Sequence, residues 1–234
     1  MIWKKIFNNY TESVTGAALI LGATTLVSRL LGFIRDRVLA HYFGAGDVID
    51  AYYAAFKIPD LAYNLIILGA FSAGFIPVFT KLFSSSTLWK DKKNEAWRLV
   101  NNAINTLGFF LIILTVVLIA LAPILVPFIA PGFNGEKLAL TIKMTRIMLL
   151  SPLLLGLSTV AGAVLQSVKN FFVYSLSPMM YNIGIIFGAV FFVPLWGNTG
   201  LAWGVILGAL LHLLIQLPSL ISAGYSYTWL FNFK

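Results

Sequence analysis

Apolar residues run along this chain in long blocks, separated by short polar connectors, and six of the blocks reach the length of a membrane span. They cover residues 14 to 40, 50 to 83, 97 to 121, 138 to 166, 171 to 193 and 199 to 222. One helix needs about 20 mostly apolar residues to cross the hydrocarbon core of a bilayer. Each block therefore predicts a transmembrane helix, and the longer ones predict tilt or kinks. Pro59, Pro77, Pro152, Pro178 and Pro218 fall inside the blocks, as a membrane bundle tolerates where neighbours, hydroxyls or water serve the freed carbonyls. Gly184 and Gly188, then Gly200, Gly204 and Gly208, recur every four residues, a spacing that lets helices approach closely. The expected fold class is all-α, a polytopic membrane protein.

The connectors set the expected orientation. Residues 81 to 98 hold Lys81, Lys90, Lys92, Lys93 and Arg98, whereas residues 122 to 136 hold no Lys or Arg. Basic residues stay on the cytoplasmic side, so the first connector is expected inside and the second outside, in agreement with Lys4, Lys5 and Lys169. Residues 1 to 13 and 223 to 234 become cytoplasmic end segments around a membrane lobe of residues 14 to 222.

Composition agrees with this reading. Of 234 residues 59% are hydrophobic and 10% charged, with mean hydropathy +0.90, far outside the range of a soluble domain. The formal charge of +8 is read as the topological excess of Lys and Arg rather than as a nucleic-acid surface. There is no cysteine, which excludes disulfides, thiolate metal sites and a cysteine nucleophile. Lys4 and Lys5 mimic the start of a signal peptide, but the apolar segment after them is too long and contains arginines, against a cleavable one.

The candidate chemistry lies in the stretch VSRLLGFIRDR, Val27 to Arg37, which places Arg29, Arg35, Asp36 and Arg37 in apolar sequence. At 100° per residue, Ala18, Gly22, Thr25, Arg29, Gly32 and Asp36 form one stripe, with Arg35 and Ser28 flanking it. An ionised group in a span costs about 2.5 kcal/mol or more unless it meets a protein interior or a wet cavity, so the stripe is expected to line such a cavity. In the second block Asp50, Lys57 and Asn64 are seven apart and share a face, with Asp60 a turn beyond Lys57. Plainer roles stand beside these. Arg35 and Arg37 could snorkel to the membrane boundary, Asp50 could cap a helix, and Lys57 and Asp60 could neutralise each other.

With these residues in view, SRLLGFIRD, FGAGDVIDAYYAAFKIPDL and GAFSAGFIPVF resemble the amino-terminal signature of the lipid II flippases of the MurJ (MviN) family. APGFNGEKLALTIKMTRIMLLSPLLLGLSTVAGAVLQS and GLAWGVILGALLHLLIQLP resemble its fourth and sixth helices, so the likeness covers nearly the whole chain. It implies one six-helix lobe of a two-lobed fold that moves the undecaprenyl-diphosphate-linked peptidoglycan precursor across the plasma membrane by alternating access, in the service of cell-wall synthesis. It further implies that Arg29 and Arg35 are cavity arginines and that Asp36 and Asp50 orient them or help close an outer gate. Ser28, Gly32, Lys57 and Asn64 are candidates for the same cavity from their helix faces, and Arg35 and Asp50, close in sequence across one short turn, are expected to form a charge pair that closes the outer mouth.

Two departures stand out. Where typical members carry arginines after a P-N-L-L stretch and an acid before GAF, this chain has Tyr63, Asn64 and Leu68, and it ends soon after the sixth block, at YSYTWLFNFK. The expectation is a chain that stops before a second lobe, to be supplied by a partner chain or a second copy. The expected ligands are lipid II and membrane lipids, with no cofactor identified and no site named for ion or membrane-potential coupling. An enzyme reading fails for want of a convergent acid, base or metal set. His41 lies in a connector, and His212, sharing a face with Gln216, reads as a packing histidine. Export of another polyprenyl-linked sugar or a drug, and a non-transporting scaffold, are the alternatives.

Overall fold

The computed structural model describes residues 13–64, 69–85 and 90–230, which are helical almost throughout. The helices are α1 (Val14–Phe43), α2 (Asp47–Tyr63), α3 (Gly69–Ser85), α4 (Lys90–Ile129), α5 (Gly135–Met148), α6 (Ser151–Ser167) and α7 (Phe171–Phe187). A π-helical turn, Gly188–Phe192, leads into the short α8 (Val193–Trp196), and α9 (Gly200–Leu214) and α10 (Leu217–Ser222) complete the lobe. Four stretches, Val14–Phe43, Asn94–Ile129, Gly135–Ser167 and Phe171–Ser222, are long and apolar enough to cross a membrane, and Gly74–Ser84 is a shorter apolar helix. The block at 138 to 166 thus splits into α5 and α6, with the break just before Pro152. Pro59 and Pro77 lie within α2 and α3; Leu68, between these two helices, is outside the described residues.

α4 corrects the expected boundary. The connector after the third block was expected to begin at residue 122, yet the helix continues to Ile129 through Pro123 and Pro127. At 1.5 Å per residue its 40 residues extend about 60 Å, twice the hydrocarbon thickness of about 30 Å. A helix of that length exceeds a single crossing of the hydrocarbon core.

The stretch Phe171–Ser222 doubles back on itself. A Cβ on Gly184 would run into the backbone of Gly208, one on Gly188 into Gly204, and one on Gly200 into Phe192. Residue numbers rise on one strand of contacts as they fall on the other, so α7 and α9 form an antiparallel hairpin whose backbones touch. Only glycine permits that approach.

Two larger apolar clusters, with a smaller one of Ile58, Val126 and Leu149, hold the bundle. Leu39, Tyr52, Met144, Met148, Ile185 and Leu201 join α1, α2, α5, α7 and α9. Phe75, Phe79, Trp97, Val160, Val164 and Leu220 join α3, α4, α6 and α10, with Phe75, Phe79 and Phe83 stacked in sequence. The outer faces are apolar too: Leu26, Leu30 and Phe33 on α1, and Phe109, Phe110, Ile113 and Val116 on α4, are exposed. A patch this wide on a soluble monomer would be an aggregation site; on a membrane lobe it suits lipid or the apolar surface of a second membrane body.

After α10 the chain turns at Gly224 (φ 99°), in the left-handed region that favours glycine, and runs back along α4 as an extended strap. Asn101 donates to the Ser226 carbonyl at 3.1 Å and the Thr228 hydroxyl at 2.9 Å, and accepts from the Tyr225 hydroxyl at 2.9 Å. One turn on, Asn105 donates to the Leu230 carbonyl and accepts from the Tyr227 hydroxyl, both at 2.8 Å. Burial pushes the Tyr225 phenol up to about 12, so it remains a neutral donor at physiological pH. Tyr225 also packs edge-on against Trp97.

Candidate functional site

A cavity of about 390 Å³ opens between α1, α2 and α7, lined by Arg35, Tyr52, Tyr53, Phe56, Lys57, Asp60 and Tyr181. Tyr53, Phe56, Lys57 and Asp60 follow the i, i+3, i+4, i+7 spacing of a single helix face, so α2 alone presents most of the wall. Tyr52 is buried beside this face and meets Phe56 edge-on, with ring centroids 5.0 Å apart.

Arg35 is fixed from two sides. Its Nη1 donates to Asn182 Oδ1 on α7 at 2.9 Å, and its Nε donates to Asp36 Oδ1 at 2.9 Å, with Nη2 2.8 Å from the same oxygen. A guanidinium has five N–H groups in a rigid fork, so both terminal nitrogens keep a donor for a ligand. Asn182 also donates to the Ser28 carbonyl at 3.4 Å and the Pro178 carbonyl at 3.1 Å. Ser28 and Arg35, seven residues apart, thus share the α1 face that meets α7, and Gly32 sits between them against Asn182.

The other expected residues divide. Lys57 lines the cavity and reaches the Ile129 carbonyl at 3.5 Å. Arg29 does not line it: six residues separate it from Arg35, which turns it about 120° away around the helix, and it stands exposed without a partner among the described residues. Ser28, Gly32 and Asn64 are also absent from the lining; the first two are taken up in helix packing, and Asn64 is exposed at the end of α2. Arg37 is exposed near the end of α1.

Asp50 is not beside Arg35. Lys137 on α5 bridges Asp50 Oδ2 at 2.6 Å and Asp47 Oδ1 at 2.9 Å, with its ammonium 4.3 Å from the centre of the Phe133 ring. The short turn between α1 and α2 leaves Asp50 in the first turn of α2 facing α5, so an Arg35–Asp50 gate pair is not formed here. Nor do Lys57 and Asp60 neutralise each other, for Asp60 has no hydrogen bond or ion pair among the described residues. His212 is packed as expected: its Nδ1 lies 2.6 Å from Ser158 Oγ, to which the buried Gln216 Nε2 donates at 2.5 Å.

Sequence reasoning missed Asn182, Lys137 and the aromatic lining. The i, i+3, i+4, i+7 spacing of Tyr53, Phe56, Lys57 and Asp60 is the local signal that could have found the aromatic lining; no such signal exists for Asn182 and Lys137, whose partners lie 147 and 87 residues away.

This lobe has solved and sequenced counterparts. The family model described as "Lipid II flippase MurJ" matches residues 39–234. The chain belongs to the MurJ family. Among its relatives, a probable lipid II flippase MurJ of Buchnera aphidicola from Acyrthosiphon pisum is 38% identical over 200 residues, covering 84% of this chain and 38% of the relative. The lipid II flippase MurJ of Burkholderia cenocepacia is 35% identical over 212 residues, covering 87% of this chain and 39% of the relative. A solved lipid II flippase MurJ in an inward closed conformation superimposes with TM-score 0.70 at 25% identity, over 90% of this chain and 44% of the other. The chain therefore spans about two fifths of the length of the MurJ proteins it matches. The cavity described above lies within the part of the MurJ fold that this chain supplies.

Proposed function

We propose that this chain forms a lobe of a lipid II flippase, holding the diphosphate end of the lipid II headgroup on Arg35 and Lys57 while the polyprenyl tail stays in the bilayer. The observation that carries the reading is the pairing of two cationic side chains with four aromatic ones in a single cavity of a MurJ-family lobe. A diphosphate leaving water needs equally polar partners, and a guanidinium held at a fixed angle offers bidentate donors for its oxygens. The aromatic rings suit the faces of sugars. Asp36 holds Arg35 at its angle, and Asp50, through Lys137, fastens the start of α2.

Transport by alternating access needs two bodies that move about one site. The proposed activity is therefore that of this lobe together with a second, in the same chain, in a partner chain or in a second copy. Arg29, on another face of α1, completes the cationic wall where that second lobe closes the cavity. Both ends lie in the cytoplasm, with the basic region around Lys90 to Arg98 inside and residues 130 to 134 outside.

Reconstitution tests the reading. Labelled lipid II in liposomes should flip when this chain is combined with a second lobe, and should not flip when the chain is present as an isolated monomer. Flipping by the dilute chain alone would overturn the two-body requirement.

A further inference from the structure

The capture of a diphosphate accounts for Arg35 and Lys57 but not for the carboxylate beside them. Asp60 lines the same cavity, three residues beyond Lys57 on α2, and engages neither Lys57 nor Arg35. For a purely anionic ligand this carboxylate is a defect, because at equal distance a like charge opposes binding as strongly as an opposite charge favours it. It suits a ligand that also carries a positive charge. Phe56 stands one helical turn before Asp60, and Tyr53 two turns before it on the same face. An ammonium held by the carboxylate would thus meet aromatic faces, to which cations are attracted.

We propose that Asp60, with Phe56 and Tyr53 beside it, is a subsite for a primary ammonium, so that the cavity selects a zwitterion whose phosphate lies on Arg35 and Lys57. This rests on the reading of the cavity as a headgroup site. Two lipids offer that chemistry: a polyprenyl-diphosphate precursor with a lysine in its peptide, and a phospholipid with an ethanolamine headgroup.

The full chain in phosphatidylglycerol nanodiscs should be titrated with lysine-form lipid II and with the same molecule acetylated on the lysine amine. The readout is the ratio of the two dissociation constants within each variant, in which a general loss of affinity cancels. Wild type should prefer the free amine by about tenfold. The preference should fall to near one in Asp60→Asn and return largely in Asp60→Glu, whereas Arg35→Ala should weaken both forms and keep it. A preference that survives Asp60→Asn overturns the subsite. The second arm measures phosphatidylethanolamine retained by wild type and Asp60→Asn in native mass spectrometry. Retention lost in Asp60→Asn, without a preference between the precursors, places the ammonium on the membrane lipid and supports the subsite. Absence of any amine preference and of any Asp60-dependent retention overturns it. Failure of wild type to bind either precursor counts against the headgroup reading, and the ethanolamine arm then decides the subsite alone.

Discussion

Arg35 on α1 and Asn182 on α7 form a single hydrogen bond of 2.9 Å that fixes the charged wall of the cavity to the most tightly packed helix pair in the lobe. Asn182 returns a bond to the Ser28 carbonyl, so one amide grips α1 at two levels. Hydrogen bonds to a charged group contribute about 1.5–3 kcal/mol when shielded, and partial exposure reduces this. In a double-mutant cycle of Asn182→Ala and Arg35→Ala, thermal denaturation of the detergent-solubilised chain should give a coupling of about 1 kcal/mol. Strictly additive losses would show that the contact carries no energy.

The glycine hairpin gives a sharper stability prediction. Gly208→Ala places a methyl against the Tyr181 carbonyl, and Gly184→Ala places one against Gly208. Backbone cannot give way as a flexible side chain can, so each substitution should cost about 1–3 kcal/mol, as overpacking does. Gly22→Ala, where nothing lies within 4 Å of the added carbon, should be neutral or slightly stabilising through helix propensity. Equal melting of the three variants would contradict the close crossing of α7 and α9.

Because the chain has no cysteine, contacts can be tested by introduced pairs. Cysteines at Asp50 and Lys137 should form a short cross-link readily, and cysteines at Arg35 and Asp50 should not. The reverse outcome would restore the gate pair that the sequence suggested.

The strap along α4 should be ordered by its hydrogen bonds. Tyr225→Phe with Tyr227→Phe removes the two hydroxyls that serve Asn101 and Asn105, and Asn101→Ala removes the partner of Ser226 and Thr228 together. Amide exchange across residues 225 to 230 should accelerate in both variants, more in Asn101→Ala, while exchange in α7 and α9 stays as in the wild type. Unchanged exchange in the strap would mean that apolar packing of Tyr225 on Trp97 holds it without the ladder.

The contrast between what could and could not be read from the sequence has a physical basis. Helices in lipid satisfy their own backbones, so apolar length sufficed to place α1, the α5–α6 pair and the α7–α9 hairpin to within a few residues. The glycine spacing told of close approach because the steric reason is local. The end of α4 was misplaced because Pro123 and Pro127 read as a connector, whereas a membrane helix carries prolines through. Arg35 stood beside the α1 stripe whose cost in a span pointed to a cavity, and Lys57 was found from the seven-residue spacing of Asp50, Lys57 and Asn64; both line the cavity. Arg29 carries the same cost, yet which arginine faces which neighbour depends on the rotation of α1 against α7, set by Asn182 far along the chain. Lys137 took Asp50 for a reason of the same kind.

In the proposed function Arg35 and Lys57 together receive the lipid II headgroup. Direct binding of lipid II to the nanodisc-embedded chain tests it most simply, comparing wild type with the Arg35→Ala, Lys57→Ala double variant and with Lys143→Ala, which removes an exposed charge on α5 that does not line the cavity. The double variant should weaken binding at least about tenfold, about 1.4 kcal/mol, with Lys143→Ala within about twofold of wild type. Equal affinity of the double variant and the wild type, with both inserted and folded, would contradict it.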